Sequence, residues 1–416
     1  MDFDFTDDQN SLRDAVARWV EKGFSFERRH GIAKAGGATR AVYNELAELG
    51  LTGLAVPTAH GGMGFGAVEA MVVCEELGRG LVNAPYAQAS LLAPVLLSTA
   101  PAAVQSKWLP KVAAGSALVV LAHQERAARY RLNHVETRAV QSGGAWSLNG
   151  AKSVVPAGDE ADAWVVPARI AGAVGDSAGI GLFLVEKNVA GASVRGFPTQ
   201  DGARAAQLDL QASPATLLAV EGLPLLEHAI DTGIAALCAE GVGAMEKLLA
   251  ITVEYMNTRK QFGVPIASFQ ALRHRVADVK MQLELARSMS YFASLKMGEP
   301  AAARRRALAQ AKLQLGASMR FVGQQCIQMH GGIGVTDEYV EPLFQAPHRH
   351  GNDVRRYAAS TGRSEFAHAR YGRRIRVGAR QAPDAAPRHA FDPTPTYLVR
   401  SGLARRHGLQ RQAQAL

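Results

Sequence analysis

Residues 258–270 read TRKQFGVPIASFQ. An apolar run at helical period precedes this stretch and another follows it, so it marks the corner between two long helices. A cation (Arg259), two amides (Gln261, Gln270) and two aromatics (Phe262, Phe269) gather there, with Gly263 and Pro265 as turn residues. The periodicity predicts helices over 225–259, 269–297 and 301–330. Helices of about 30 residues exceed the globular mean, and they are stable when packed along their whole length, as in a four-helix-bundle-type domain. The third ends in QMHGGIGVTDEY (328–339), with glycine where a helix terminus and a close backbone approach need it.

Upstream of this bundle the texture differs. From about Ala117 to Val220 come short β-branched runs, ALVVLAH, HVETRAV, AWSLNGAKSVV, DAWVVPAR, IGLFLVEK and ASVRGF, separated by turn residues. These predict a small antiparallel β-barrel or sandwich. Before them the chain is mostly helical: Thr6 and Gln9 stand at capping-box spacing, and apolar periodicity runs through 43–50, 67–81 and 87–98. GGMGFG (61–66) lacks the preceding strand that a dinucleotide fingerprint requires, so it reads as an interhelical loop before it reads as a phosphate site. The expected fold class is α+β multidomain: an N-terminal helical domain (1–116), a middle β domain (117–222), a C-terminal helical bundle (223–341) and a basic tail (342–416).

The chain has 416 residues, 48% of them hydrophobic and 20% charged, a composition that fits a folded multidomain protein and neither wholesale disorder nor a fibrous repeat. Cys74, Cys238 and Cys326 lie far apart in helix-like stretches and read as core residues, not as disulfides or metal ligands. The opening MDFDFTDDQ is acidic where a secretory leader is basic, and no run of about 18 apolar residues occurs, so a cytoplasmic protein with no membrane span is expected. The net charge of +9 is uneven. From Pro342 onward there are 14 Arg, no Lys and 4 acids, which leaves the first 341 residues at −1. An almost neutral body, and arginines with no folded scaffold around them, argue against nucleic-acid binding.

Taken singly, Arg259 reads as a solvated helix-end charge, His330 as a packing residue and the glycines as turns. Taken together, RKQFGVPI and QMHGGIG resemble the acyl-CoA dehydrogenase family, whose pattern is Arg-x-Gln-Phe-Gly-x-Pro-Ile followed later by Gln-x-x-Gly-Gly-x-Gly. LAELGLTGLAVPTAHGGMGFG (46–66) and LNGAKSVV (148–155) are similar to the family as well, so the resemblance covers about residues 1–341. Within the family the chain is most similar to the small subunits of two-subunit bacterial enzymes such as pimeloyl-CoA dehydrogenase. The resemblance implies the acyl-CoA dehydrogenase fold, FAD, α,β-dehydrogenation of an acyl-CoA thioester, an electron-transfer flavoprotein as electron acceptor, and a homo- or heterotetramer. It implies that Arg259 bridges the FAD pyrophosphate, beside Gln261, Phe262, Ile266, Phe269 and Gln270. Gln328, Gly331 and Gly332 would line the adenylate side. In the family this corner reaches the flavin of a neighbouring subunit.

The chain also departs from the pattern. Where the family reads Thr-Glu-Pro-Gly-x-Gly-Ser, this sequence has QERAARY (124–130), which keeps Glu125 and offers Gln124 to a flavin edge and Tyr130 to a phosphate. The Trp-Ile-Thr that covers the flavin becomes Val154, Val155 and Pro156. The family's two positions for the catalytic carboxylate hold Arg355 and Gly233; Asp231 lies about 200° around the helix from Gly233, and Glu338 matches a structural position. No catalytic base is therefore assigned. A non-catalytic partner subunit, and a flavin oxidase or monooxygenase of the same fold, stand as alternatives.

The composition break at 342 fits a change of reading frame near 339–342. With suitable third bases, PLFQAPHRH (342–350) and NDVRRY (352–357) translate one base along into Arg-Tyr-Phe-Lys-Arg-Leu-Thr-Val and Met-Thr-Phe-Gly-Asp, which resemble the family's C-terminal segment. A genuine disordered basic tail is the alternative.

Overall fold

The computed structural model describes residues 4–129, 131–199 and 201–336. The tail 342–416, Arg355, Glu338 and Tyr130 lie outside the described residues.

Six helices come first: α1 (Asp7–Gly23), α2 (Phe26–Lys34), α3 (Arg40–Glu48), α4 (Ala67–Arg79), α5 (Ala93–Leu97) and α6 (Ala102–Ala113). The expected capping box opens α1, with the Thr6 hydroxyl accepting from Gln9 N and the Gln9 side chain accepting from Thr6 N. A π-helical turn, Ala87–Leu92, runs directly into α5. The 61–66 loop keeps its amides for itself: Met63, Gly64 and Phe65 donate to the carbonyls of Gly53, Val56 and Leu54, each at 2.9 Å. Those donors are spent, so the loop joins helices and makes no phosphate cradle.

Seven strands follow: β1 (Val119–Leu121), β2 (Arg138–Ser142), β3 (Ala145–Pro156), β4 (Ala163–Arg169), β5 (Ile180–Glu186), β6 (Ala192–Pro198) and β7 (Arg204–Ala219). The pairings β4–β2–β3–β7–β5–β4 close on themselves, which makes a barrel, and β6 adds to β7. Most pairs are antiparallel as expected, but β1 and β2 both run parallel to β4. The two strands follow one another along a single edge of β4, at Val119↔Ala163 and Arg138↔Arg169, because residues 122–137 loop out between them without reversing direction. β4 is buried throughout its length: Trp164, Val166 and Ala168 fill the barrel, while Ala163 and Val165 join the core shared with the helices.

The chain then forms α7 (Gly222–Thr258), a hairpin of β8 (Lys260–Gln261) and β9 (Val264–Pro265), α8 (Gln270–Leu295) and α9 (Ala301–His330). Three long antiparallel-connected helices thus stand where a bundle is expected. The N-terminal domain packs onto α7 through glycines. A Cβ on Gly243 would lie 1.8 Å from the Glu75 carbonyl oxygen, and one on Gly78 would lie 2.1 Å from that of Glu240. Around this crossing Arg79 and Arg287 bridge Glu76, Glu246 and Glu284, tying α4, α7 and α8 together. Cys74, Cys238 and Cys326 are buried free thiols, and burial pushes the last two up to about 12. Among the described residues no helix is long and apolar enough to cross a membrane.

Candidate functional site

The two C-terminal motifs meet at one end of the bundle. Tyr255, one turn before Arg259, stacks on His330, the last residue of α9, with ring centroids 4.4 Å apart, and its hydroxyl lies 3.3 Å from the His330 carbonyl oxygen. His330 Nδ1 in turn lies 2.9 Å from the Cys326 carbonyl oxygen. This stack fixes the ends of α7 and α9 against each other, so Arg259, one turn past Tyr255, and Gly331, next to His330, lie at the same end of the bundle, while Gln328 sits about 200° around α9 from His330.

α7 stops at Thr258 because Arg259 turns to an extended conformation, and Ile266 N then donates to the Arg259 carbonyl oxygen at 2.9 Å. Between them Phe262 (φ +54°) and Gly263 (φ +81°) form a two-residue loop with both central residues left-handed. Asparagine or glycine suits the first of these positions, and phenylalanine there is strained. Phe262 is nevertheless 91% exposed, touching Phe269 edge-on at 6.1 Å, while Ile266 is buried and anchors the turn. Gln261 bonds to the neighbouring Lys260 carbonyl, Gln270 begins α8 in solvent, and Gln328 is exposed. The Arg259 guanidinium has no hydrogen-bond or ion-pair partner among the described residues. Gly331 (φ 65°, ψ −141°) ends α9 in a conformation open to glycine alone, and a Cβ on Gly331 or Gly332 would meet nothing within 4 Å. An unpaired guanidinium, exposed amides and bare backbone are a donor set that fits an anionic dinucleotide.

Gln124 lies on the barrel. Its carbonyl accepts from Ser153 N at 2.9 Å, and its carboxamide has no partner among the described residues. Ser153 and Val154 form a bulge opposite Gln207, since Lys152 pairs with Leu208 and Val155 with Ala206. Val154 is half exposed with φ +51°, a strained conformation for a β-branched residue, while Val155 turns into the barrel. The bulge therefore aims one apolar side chain outward beside Gln124. Glu125, next in sequence, is buried. Its Oε1 accepts from Lys152 Nζ (2.6 Å), Thr137 Oγ1 (2.7 Å) and Thr137 N (3.0 Å), and its Oε2 accepts from Glu136 N (2.5 Å). Lys152 is fully buried and also donates to the Pro167 carbonyl at 2.8 Å. Burial would raise the Glu125 carboxyl, but the Lys152 ammonium and these hydrogen bonds hold it below its ordinary value. Burial draws Lys152 down to about 8, and burial together with that ammonium draws His123 down to about 4, so the pair is ionic and His123 neutral at pH 7.

Asp231 does not face the Gly233 side of α7. Its Oδ2 accepts from Arg304 Nε on α9 at 2.8 Å, and a Cβ on Gly233 would instead point at Leu92, 3.4 Å away. Lys152 and Glu240 were not singled out from the sequence. Lys152 shares strand parity with the inward Leu148, a signal that needed the Glu125 partner to be read. Glu240, in the apolar run of α7, has no hydrogen-bond or ion-pair partner among the described residues, and burial alone raises its carboxyl to about 7.

Three domain descriptions match the chain: "Acyl-CoA dehydrogenase, N-terminal domain" over residues 6–116, "middle domain" over 121–212 and "C-terminal domain" over 221–375. The last extends past the composition break at 342. Similar curated proteins include the acryloyl-CoA reductase (NADH) of Anaerotignum propionicum, 27% identical over 82% of this chain and 88% of its own. The short-chain-specific acyl-CoA dehydrogenase of Megasphaera elsdenii is 28% identical over 82% of this chain and 92% of its own. The solved butyryl-CoA dehydrogenase of Megasphaera elsdenii superposes with a TM-score of 0.77 at 25% identity, covering 89% of this chain and 98% of that one. With the helical, barrel and bundle domains in this order and all three domain descriptions matched in register, the chain belongs to the acyl-CoA dehydrogenase family, flavoprotein oxidoreductases that use FAD.

Proposed function

We propose that this chain supplies both halves of an FAD site for the α,β-dehydrogenation of an acyl-CoA thioester. The bundle corner of Arg259, Gln261, Phe262, Ile266, Phe269, Gln270, Gln328, Gly331 and Gly332 would serve the dinucleotide, and Gln124 the flavin edge. The observation that carries this reading is the Tyr255–His330 stack, which brings the ends of the two motif helices together beside an Arg259 with no partner among the described residues. FAD, when bound, accepts the β hydrogen of the substrate as hydride. Arg259 offers a bidentate, charge-assisted contact to pyrophosphate, and the glycine loop lets backbone approach the adenylate. The exposed, strained Phe262 fits contact with a neighbouring chain, which supports an oligomer, homo- or heteromeric, whose sites are completed across subunits. An electron-transfer flavoprotein is the proposed electron acceptor.

The α proton needs a carboxylate. Gly233 offers none and Asp231 is committed to Arg304, so neither position supplies the base. The test is a visible spectrum of the purified chain, alone and co-expressed with its gene neighbour. Flavin absorbance that bleaches on adding an acyl-CoA is the expected result, and a colourless protein in both preparations contradicts the reading. Arg259→Ala should weaken FAD binding by about 1.5–3 kcal/mol, the worth of a charge-assisted hydrogen bond, with helix content unchanged by circular dichroism.

A further inference from the structure

β1 and β2 share one edge of β4 and leave a gap between them, which residues 122–137 cross. The gap is closed at its two ends by backbone, Ala122 N donating to Val165 O at 2.8 Å and Arg169 N to Thr137 O at 2.7 Å. Between these points the wall is held by side chains. Lys152 Nζ spans from the Pro167 carbonyl on β4 to Glu125 Oε1, and Glu125 collects the amides of Glu136 and Thr137. One end of this network is the residue beside Gln124, and the other is the residue beside the Ser153–Val154 bulge. Both flavin-facing candidates therefore hang on the same buried pair, and Ser153 N to Gln124 O is the cross-tie that sets their spacing.

We infer that Glu125 and Lys152 are positioning residues for the flavin: the buried pair holds Gln124 and the strained Val154 at a fixed separation, so that the carboxamide meets the flavin edge while the valine covers the ring. The inference rests on the FAD site proposed above. Both side chains are buried, so the role inferred for them is positioning and not contact. A strained φ at a half-exposed valine persists only where its surroundings over-determine it, and here Lys152, two residues earlier, is locked by two hydrogen bonds to groups on two other segments. A pair buried to this degree is weak evidence for stability as such, since an apolar pair of equal volume does as well.

The experiment is a flavin titration of the full-length chain, read by flavin fluorescence and by visible circular dichroism of the bound flavin, with thermal melts in parallel. Lys152→Met leaves a buried carboxylate unpaired and can prevent folding, so Glu125→Gln/Lys152→Gln, which removes both charges together, is the second variant. Leu148→Ala, a cavity in the same strand that leaves the pair intact, is the control. The expected result is an FAD dissociation constant raised about ten- to a hundredfold in the pair variants, by analogy with the outer-shell partners that orient metal ligands. Their visible dichroism should change as well, while Leu148→Ala lowers the melting temperature and keeps wild-type affinity and dichroism. Equal affinity losses in Leu148→Ala and the pair variants at equal loss of melting temperature would make the pair merely structural and overturn the inference. Unchanged affinity in the double variant overturns it too, and a wild-type chain that binds no FAD overturns the underlying site reading instead.

Discussion

Glu240→Gln is expected to raise the unfolding free energy at pH 8 by on the order of 3 kcal/mol, at 1.36 kcal/mol for each pKa unit between about 7 folded and the ordinary carboxylate value. The carboxylate is held at the α4–α7 crossing, where the Gly78 backbone closes over its own backbone. No cation faces it among the described residues, and the buried Cys74 thiol is the titratable neighbour that feels its charge. A folded-state pKa raised above the unfolded value means that the folded chain holds the extra proton between roughly pH 4.5 and 7. Stability is therefore full below the unfolded value, falls as pH rises, and levels off above 7. Glutamine mimics the protonated form at every pH. The two proteins should thus differ most at pH 8 and by only a few tenths of a kcal/mol at pH 4.5, measured by urea unfolding. Equal stabilities at both pH values would show a carboxylate that ionises normally in the folded state.

Gly243→Ala should cost about 3 kcal/mol, at the upper end of what overpacking usually costs. Its Cβ would stand 1.8 Å from the Glu75 carbonyl oxygen and 2.8 Å from Arg79 N, so relief requires α4 and α7 to part as whole helices. That motion also loosens the contact of Arg79 on α4 with Glu246 on α7. Gly31→Ala makes the contrast. It lies inside α2 with nothing within 4 Å of the new methyl, and it should stabilise by about 0.5–1 kcal/mol through helix propensity. Denaturant midpoints that move in opposite directions check both; a neutral Gly243→Ala would mean that the crossing tolerates a wider spacing.

The long bundle helices were legible because each carries its own period, whereas α2 and α6 were not singled out. The expected 301–330 is α9 to the residue, and the expected 225–259 and 269–297 differ from α7 and α8 by a few residues at the ends. Six strands fell on the β-branched runs for the same reason, but β7 (Arg204–Ala219) matched none of them, and pairing was not legible. Nothing local states that β1 and β2 line up on one edge of β4, because that depends on where the 122–137 loop lands. The Arg259 and Gln328 motifs were likewise visible as words, whereas the stack that brings their helix ends together joins Tyr255 to a histidine 75 residues away, itself a packing residue as the sequence suggested. Glu125 was noticed by position and Lys152 was not, although both are polar residues buried in a barrel wall. A charge inside an alternating strand becomes informative only when its partner is known.

The sequence by itself carried the family's motifs at 258–270 and 328–334, and it determined the α, β, α order because periodicity and turn chemistry act over a few residues. Tertiary structure decided the rest. It committed Asp231 to Arg304, spent the amides of the 61–66 loop on the carbonyls of Gly53, Leu54 and Val56, closed the barrel through β4 and β5, and left Glu240 without a counter-charge among the described residues. In each case the deciding contact joins a group to a distant partner or denies it one, and the free energy of a buried polar group depends on that partner and not on its neighbours in sequence.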